Sequence, residues 1–169
     1  YLKTIDNGRD DLAVKRIINV PKRGIGAASI AKVQDYADHM GLSFYEALQH
    51  VDEISTLGKG KSTDKLRDFA TMIRMFRTKL QNSSLEDLIT DVIETTGYVR
   101  ELEESGEEDS EDRVENIDEL ITKMVSFELE CEELGEEATL SAFLEEVALV
   151  ADIDNVDKDD NRVLLMTLH

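Results

Sequence analysis

The chain turns at a basic, glycine-containing stretch, Asn19-Val20-Pro21-Lys22-Arg23-Gly24-Ile25-Gly26-Ala27-Ala28-Ser29. Two basic residues precede a Gly-x-Gly turn, and Ser29 stands where a new helix can begin. Glycine tolerates positive φ and lets the backbone approach a partner closely. The unpaired N–H groups that open the next helix then point outward as an anion site. With Lys22 and Arg23, this corner is a candidate grip on a nucleic-acid phosphate.

The same stretch also has a plainer interpretation. It can be an ordinary helix–turn–helix corner whose glycines only solve a packing problem. Basic glycine-rich corners are common, so composition alone favours this alternative over a phosphate grip.

A second corner, Leu57-Gly58-Lys59-Gly60-Lys61-Ser62, repeats the pattern of Gly-x-Gly, flanking lysines and a serine at the next helix start. Residues 60–62 resemble the end of a phosphate-binding P-loop. The first glycine of that motif would fall at Ser55, however, and no apolar strand precedes it. The pattern therefore does not predict an ATP site here.

Length and composition predict one largely helical domain. The chain has 169 residues, one proline and no tryptophan, and Glu, Leu and Lys or Arg recur at short spacings. Its single cysteine excludes an intramolecular disulfide and favours a reducing compartment. The absence of an 18-residue apolar run and of a signal peptide predicts a soluble protein that is not secreted. Tyr1 and His169 are both expected to be ends cut from a longer chain.

Charge is distributed unevenly along the sequence. The net charge is −19, but residues 1–80 carry 14 Lys or Arg against 10 Asp or Glu. Residues 101–169 carry 4 basic and 24 acidic residues. A mildly basic half joined to a strongly acidic half predicts two faces with different partners, or one binding face and one solvated face.

Apolar residues at helical spacing predict helices separated by glycine stops. Ser43 and Glu46 form a capping-box pattern, and Gly41, Gly97 and Gly135 are expected to end helices. The longest predicted buried stripe consists of Leu66, Phe69, Ile73, Phe76 and Leu80. The three arginines beside that stripe are expected to be solvated: Arg67, Arg74 and Arg77.

Three segments are predicted to lie outside the helices. Residues 102–112 are almost entirely acidic and predict a mobile surface loop. Residues 152–161 predict a polar linker. Residues 162–168 form a continuous apolar run, which predicts a buried strand. One strand cannot form a sheet, so its partners are expected outside this chain.

The sequence offers no catalytic or metal-binding constellation. His39, His50 and His169 are far apart and lack the spacing of metal ligands. Cys131 lies among acidic residues, which raise rather than lower a thiol pKa. The carboxylates occur in runs, which is typical of a solvated face rather than of general acid–base pairs.

Four segments, in order and at similar spacing, resemble the UvrD/PcrA family of superfamily 1 DNA helicases over essentially the whole chain. They are residues 17–26, 113–120, 143–149 and 163–169. The resemblance implies subdomain 2B, a mainly α, multi-helix insertion with helix–loop–helix corners. On this basis, residues 1–5 end a segment of the RecA-like domain 2A and residues 6–161 form 2B. Residues 162–169 are the first 2A strand after it, where Thr167 and His169 match the start of helicase motif V.

The resemblance also implies a function, that of a duplex-DNA-binding and regulatory subdomain in an ATP-dependent 3′–5′ DNA helicase of repair or replication. The helicase would hold the DNA at the junction of duplex and single strand, by sequence-independent contacts to the phosphate backbone. The implied contact residues are Lys22, Arg23, Gly24, Ile25, Gly26 and Ser29, and less directly Gly58, Lys59, Gly60, Lys61 and Ser62.

The family's ATP site, Walker motifs and arginine fingers have no matching positions here. ATP and Mg²⁺ are therefore expected in the parent enzyme and no cofactor in this chain, which alone should not hydrolyse ATP. Other expected partners are domains 1A, 1B and 2A of the same helicase and regulatory proteins. No membrane partner is expected, and the implied location is the bacterial cytoplasm, associated with the nucleoid. The alternative function is an acidic protein-docking or autoinhibitory module with little direct affinity for DNA.

Overall fold

The computed structural model describes residues 1–106 and 109–154, with side chains described up to Leu149. These residues form nine α-helices, a 3₁₀ turn at Val51–Glu53 and no β-strand, which confirms the mainly α fold. The strand predicted at 162–168, which contains Thr167, lies outside the described residues, as does His169. Of the polar linker predicted at 152–161, residues 152–154 are helical and the rest lies outside the described residues. The helices are α1 (Leu2–Asp6), α2 (Asp11–Ile17), α3 (Ala27–Met40), α4 (Phe44–Gln49), α5 (Lys61–Leu80), α6 (Leu85–Thr96), α7 (Tyr98–Ser105), α8 (Ser110–Leu134) and α9 (Leu140–Asp154).

Helix α5 is the central element, and its apolar stripe is buried as its periodicity predicts. Leu66, Phe69, Ile73 and Phe76 are each at most 3% exposed, while Leu80 is half-buried. Helices α1, α4 and α6 all pack against α5. The stripe at i, i+3 and i+7 spacing therefore joins the two halves of the chain in one core.

Local signals fix the helices of the first half. Ser43 and Glu46 form the predicted capping box, with the Glu46 backbone N–H donating to Ser43 Oγ at 3.2 Å. Gly41 ends α3 at φ +66°, in the left-handed region that glycine tolerates. Helices α2 and α3 both pack on α4, which buries Phe44 and Leu48 completely.

The second half corrects the predicted acidic loop. Helix α7 continues to Ser105 and α8 begins at Ser110, so most of residues 102–112 are helical. Burial of Leu102 and a 2.9 Å hydrogen bond between the Ser105 and Ser110 hydroxyls hold the two helices together. Gly106, at φ +64°, ends α7. Acidic composition alone therefore predicted this segment wrongly.

Helix α9 returns to the beginning of the chain. It packs on α1, and Ser141 Oγ donates a hydrogen bond to the Asp6 carboxylate. Phe143 lies against Phe127 of α8, with ring centroids 5.6 Å apart. The first and last described helices are therefore neighbours.

The central position of α5 generates a stability prediction. Leu66→Ala removes a fully buried side chain from this helix, and we expect it to lower the free energy of unfolding by about 2–5 kcal/mol. Met75→Ala on the same helix is the matched control, because Met75 is 61% exposed. We expect that change to stay within about 0.5 kcal/mol. Urea unfolding measures both, and equal losses would contradict the central role of the stripe.

Candidate nucleic-acid interface

The first glycine corner is closed by one asparagine. Asn19 Nδ2 donates to the Ile25 carbonyl at 2.7 Å, and the Ile25 N–H donates to Asn19 Oδ1 at 2.9 Å. Ile25 is buried, whereas Gly24 and Gly26 on either side are exposed. Gly24 adopts φ +66°, and a Cβ there would lie 2.8 Å from Lys65 Nζ. The reciprocal pair thus pins the buried Ile25 and leaves the flanking backbone at the surface.

Arg23 points into the corner. Its guanidinium donates to the carbonyl of Ile17 at 2.9 Å and to that of Pro21 at 3.3 Å, and it hydrogen-bonds the Tyr1 hydroxyl. It also lies over the Phe69 ring, 5.3 Å from the centroid. These carbonyls follow or end α2, where backbone acceptors lack intrahelical donors. In this structure the side chain therefore satisfies acceptors of its own corner.

The structure brings the two glycine corners together, although they lie more than 30 residues apart in sequence. In two of the three hydrogen bonds that join the corners, a lysine ammonium from the helix after one corner donates to a carbonyl in or beside the other corner. Three hydrogen bonds make the junction: Ser29 Oγ to Ser62 Oγ at 2.5 Å, Lys65 Nζ to the Gly24 carbonyl at 3.2 Å, and Lys32 Nζ to the Thr56 carbonyl at 2.7 Å.

The junction places the N-termini of α3 and α5 side by side, and neither has a side-chain cap. Gly26 and Gly60 occupy the cap positions. The first helical bonds run from Ser29 to Gly26 and from Asp64 to Gly60, so the N–H groups before them have no helical acceptor. Ala27 is exposed at this edge. The helix dipoles give both termini partial positive charge, which suits an anion.

Three other helices close their N-termini with side-chain oxygens. Asp10 caps α2, Ser43 caps α4 and Ser84 caps α6. Glu128 of α8 adds a carboxylate at α6, where it accepts the Leu85 N–H at 2.6 Å. Helices α1, α7 and α8 also begin without a side-chain cap. Helix α1 has only five residues, α7 directly follows α6, and α8 begins in the acidic segment. The open termini of α3 and α5 instead have lysines around them.

Lys22, Lys59 and Lys61 are exposed around the joined corners. Within the described structure, none of their side chains forms a hydrogen bond or an ion pair. Arg67 behaves differently, because its guanidinium pairs with Asp64 at 2.8 Å and with both carboxylate oxygens of Asp52. The Arg67 hydrogen bonds lower the pKa of Asp52. The second corner therefore has its own paired charges beside the three free lysines.

Comparisons with known proteins establish the family. Residues 1–169 match the UvrD-like helicase C-terminal domain. The chain belongs to this family. It is 37% identical over 175 residues to the ATP-dependent DNA helicase PcrA of Bacillus subtilis strain 168, and 39% identical over 169 residues to PcrA of Staphylococcus aureus strain Mu50 and of Staphylococcus epidermidis. The alignments cover this whole chain, but only 23% of the Bacillus protein and 22% of the staphylococcal ones.

Most of the site residues expected from the sequence of this UvrD-like segment lie where the two corners meet. Gly24, Gly26 and Ser29 lie at the joined corners, as do 58–62. Three residues that organise the corners were not among the expected site residues: Asn19, Lys32 and Lys65. A signal existed for Asn19, because asparagine often bonds backbone groups in turns. No local signal exists for the two lysines, whose acceptors come from distant segments.

The described residues, 1–106 and 109–154, lack the features of a metal site or a membrane-spanning helix and do not favour a thiol nucleophile. No three His, Cys, Asp or Glu side chains of this part lie where they could hold a metal ion. None of its helices is long and apolar enough to cross a membrane. Burial and the carboxylates of Glu136 and Glu146 raise the pKa of the Cys131 thiol, which opposes nucleophilic use.

The Asn19–Ile25 pair generates a second prediction. Asn19→Ala leaves the Ile25 N–H and carbonyl without their side-chain partner, and we expect a loss of about 1–3 kcal/mol in unfolding free energy. Hydrogen exchange of the Ile25 amide should accelerate as well. Asn82→Ala is the control, since Asn82 makes one 3.3 Å bond on an exposed turn. An unchanged exchange rate at Ile25 would contradict the assigned role of Asn19.

Proposed function

We propose that this chain is the duplex-gripping 2B subdomain of an ATP-dependent 3′–5′ DNA helicase. The observation that carries the proposal is the side-by-side placement of two uncapped helix N-termini at the Ser29–Ser62 contact. Two such termini, a short distance apart, suit two phosphates of one DNA backbone. The relatives' name, ATP-dependent DNA helicase, supports the same assignment.

The proposed grip recognises phosphates and backbone shape rather than base sequence. Backbone N–H groups at Gly26 and Gly60 would meet phosphate oxygens directly. Lys22, Lys59 and Lys61 would add mobile positive charge and release counterions from the DNA. None of these groups reads base edges, so binding should depend on salt and not on sequence. Such a grip suits a motor that moves along any DNA.

Arg23 takes a different part in this proposal. Its guanidinium already donates to the carbonyls of its own corner, so we assign it to the shape of the corner. Ile25 is likewise buried and anchors the loop. Ser29 and Ser62 set the separation of the two helix termini through their hydroxyl contact. Direct phosphate contact is then left to the exposed lysines and the glycine backbone.

The position of the chain in a parent helicase is part of the proposal. We assign residues 6–161 to the inserted subdomain, and residues 1–5 and 162–169 to the flanking RecA-like domain. The contact between α1 and α9 supports an insertion, because it keeps the entering and leaving segments together. Domains 1A, 1B and 2A of the helicase would then be its permanent partners, and Thr167 and His169 would begin motif V.

ATP and Mg²⁺ would be bound by parts of the helicase outside this chain. Lys61 and Ser62 do open a helix, as in a P-loop. The preceding residues, however, form a 3₁₀ turn and a tight turn rather than a strand, and Ser55 stands at the position of the first P-loop glycine. The residues present therefore do not fit a nucleoside triphosphate, and no step of ATP hydrolysis is assigned to them.

One observation favours the alternative of an acidic, autoinhibitory module. The Lys22 backbone N–H donates to Glu101 Oε1 at 2.8 Å, so a carboxylate from α7 occupies a donor of the first corner. A carboxylate at this place competes with a phosphate for the same donor. The acidic second half of the chain would then restrain DNA binding or attract basic partners.

Salt-dependent DNA binding tests the grip. We expect the chain to bind a blunt duplex at low salt, with an affinity that falls as salt rises. The double variant Lys22→Ala/Lys61→Ala should reduce the slope of log K against log salt by about 2, because each removed lysine leaves one phosphate without its neutralising charge. Fluorescence anisotropy with a labelled duplex, titrated at several salt concentrations, measures the slope.

The matched control carries the same change of charge elsewhere. Lys3→Ala/Lys123→Ala replaces two exposed lysines of α1 and α8, and its slope should remain close to that of the parent chain. Equal effects of the two double variants would refute a localised grip. No duplex binding by the folded chain at low salt would favour the docking alternative instead.

The Glu101 contact generates its own prediction. Glu101→Gln removes a negative charge from the corner, and we expect duplex affinity at low salt to rise about threefold. Glu103→Gln is the control, because Glu103 is exposed on the same helix. The same anisotropy titration serves for both variants. If both have the same effect, or neither has any, Glu101 does not restrain the corner.

A further inference from the structure

A second positively charged site lies away from the glycine corners. The turn between α1 and α2, the start of α4 and the last third of α5 enclose an open cavity of about 460 Å³. Its lining is mostly polar. Three arginines face it, together with one tyrosine and one carboxylate: Arg9, Arg74, Arg77, Tyr45 and Glu46.

The three arginines lack the partners that arginine normally has in a folded protein. Within residues 1–106 and 109–154, none of the guanidinium groups of Arg9, Arg74 and Arg77 forms a hydrogen bond or an ion pair. Arg67, on the same helix as two of them, pairs with two aspartates. Three unpaired guanidinium groups around one cavity repel one another, so an anion between them would relieve that repulsion.

The one carboxylate in the cavity wall is already engaged. Glu46 Oε2 accepts the Ser43 N–H at 2.8 Å and the Ser43 hydroxyl at 2.9 Å. These Ser43 hydrogen bonds, followed by the charge of Arg9, lower the pKa of Glu46. Glu46 is therefore ionised at neutral pH and supplies one negative charge against three positive ones. The cavity keeps an excess of positive charge in a chain of net charge −19.

Packing holds Arg77 in place at the cavity wall. Its guanidinium lies over the Tyr45 ring, 5.6 Å from the centroid. Gly8 makes room for this stack, because a Cβ on Gly8 would lie 2.3 Å from Arg77 Nη1 and 2.8 Å from Tyr45 Cδ1. A buried glycine, a buried tyrosine and a stacked guanidinium therefore form a preorganised wall, with the exposed Arg74 and Arg9 beside it.

We propose that this arginine pocket binds a ligand carrying phosphoryl groups, of pyrophosphate to nucleotide size. The planar fork of a guanidinium matches the oxygens of a phosphate through paired N–H donors, and three forks can share the oxygens of one or two phosphoryl groups. The side-chain amide of Gln49, a neutral donor of the lining, can complete the shell. A cavity of this volume lies within the range of small-ligand sites.

The pocket is separate from the proposed DNA interface. Arg74 follows Lys65 by nine residues, which is about half a turn away around α5 at 3.6 residues per turn. Arg77 lies about 18 Å further along the axis than Lys65, at 1.5 Å per residue. A phosphate bound beside Lys65 therefore cannot at the same time lie in this cavity. The geometry favours a free phosphate ligand over a phosphate of the gripped duplex.

The test uses inorganic pyrophosphate as the probe. We expect calorimetric titration of the chain, at low and constant ionic strength, to show saturable binding. Arg74→Gln should weaken that binding about tenfold or more, because it removes one charge-assisted hydrogen-bonding group. Arg74 is exposed, so its replacement should not unfold the chain, which circular dichroism checks. Arg77→Gln should weaken binding as well.

Arg16→Gln is the matched control, since Arg16 is exposed and does not line the cavity. It should leave pyrophosphate affinity unchanged. A blunt duplex added as competitor identifies the source of the phosphate. No displacement supports a free phosphate ligand, while displacement together with weaker duplex binding by Arg74→Gln would assign the cavity to DNA and overturn the proposal of a small ligand. Absence of saturable binding, or equal affinities of the parent chain and Arg74→Gln, would overturn the proposal.

Discussion

Burial of the apolar stripe on α5 fixes the positions of the other elements, because α1, α4 and α6 all pack against this one helix. Leu66 and Phe69 lie in its first half, close behind the N-terminus at Gly60. That terminus is therefore held by the core, while Ser62 and Lys65 connect it to the first corner. The same burial points the arginines near the other end of α5 outward, toward the α1–α2 turn. Two separate basic sites thus follow from one packed stripe.

Only some helix N-termini of this chain are closed by carboxylate or hydroxyl side chains. Carboxylates or hydroxyls close the N-termini of α2, α4 and α6, and one of them, Glu128, comes from a different helix. These contacts compensate helix dipoles inside the fold. The N-termini of α3 and α5 lack such oxygens, as do those of α1, α7 and α8. In the first corner, Glu101 accepts a hydrogen bond from the Lys22 backbone. A net charge of −19 therefore does not exclude an anion-binding surface, because many of the exposed acidic residues lie on α8, outside both glycine corners.

Features that depend on sequence-local physics were predictable. The Ser43 capping box, the glycine stop at Gly41 and the stripe beginning at Leu66 each involve neighbours within one or two turns, and the structure confirms them. The Ser29–Ser62 contact could not be predicted, since it depends on the packing of two helices distant in sequence. Residues 102–112 were predicted wrongly because composition says nothing of the burial of Leu102, which draws its acidic neighbours into a helix.

Lys22 and Arg23 show why a basic motif cannot be read as one unit. The guanidinium of Arg23 has several donors in a fixed plane, which suits the cluster of carbonyls at the end of α2. The ammonium of Lys22 has no such acceptors and stays in solvent. The donors that a fold already uses must therefore be subtracted before charge is converted into function. For that reason we propose that Arg23 shapes the corner rather than contacts a phosphate. Arg74 and Arg77, whose donors have no acceptors in the described structure, are the stronger candidates for binding an anion.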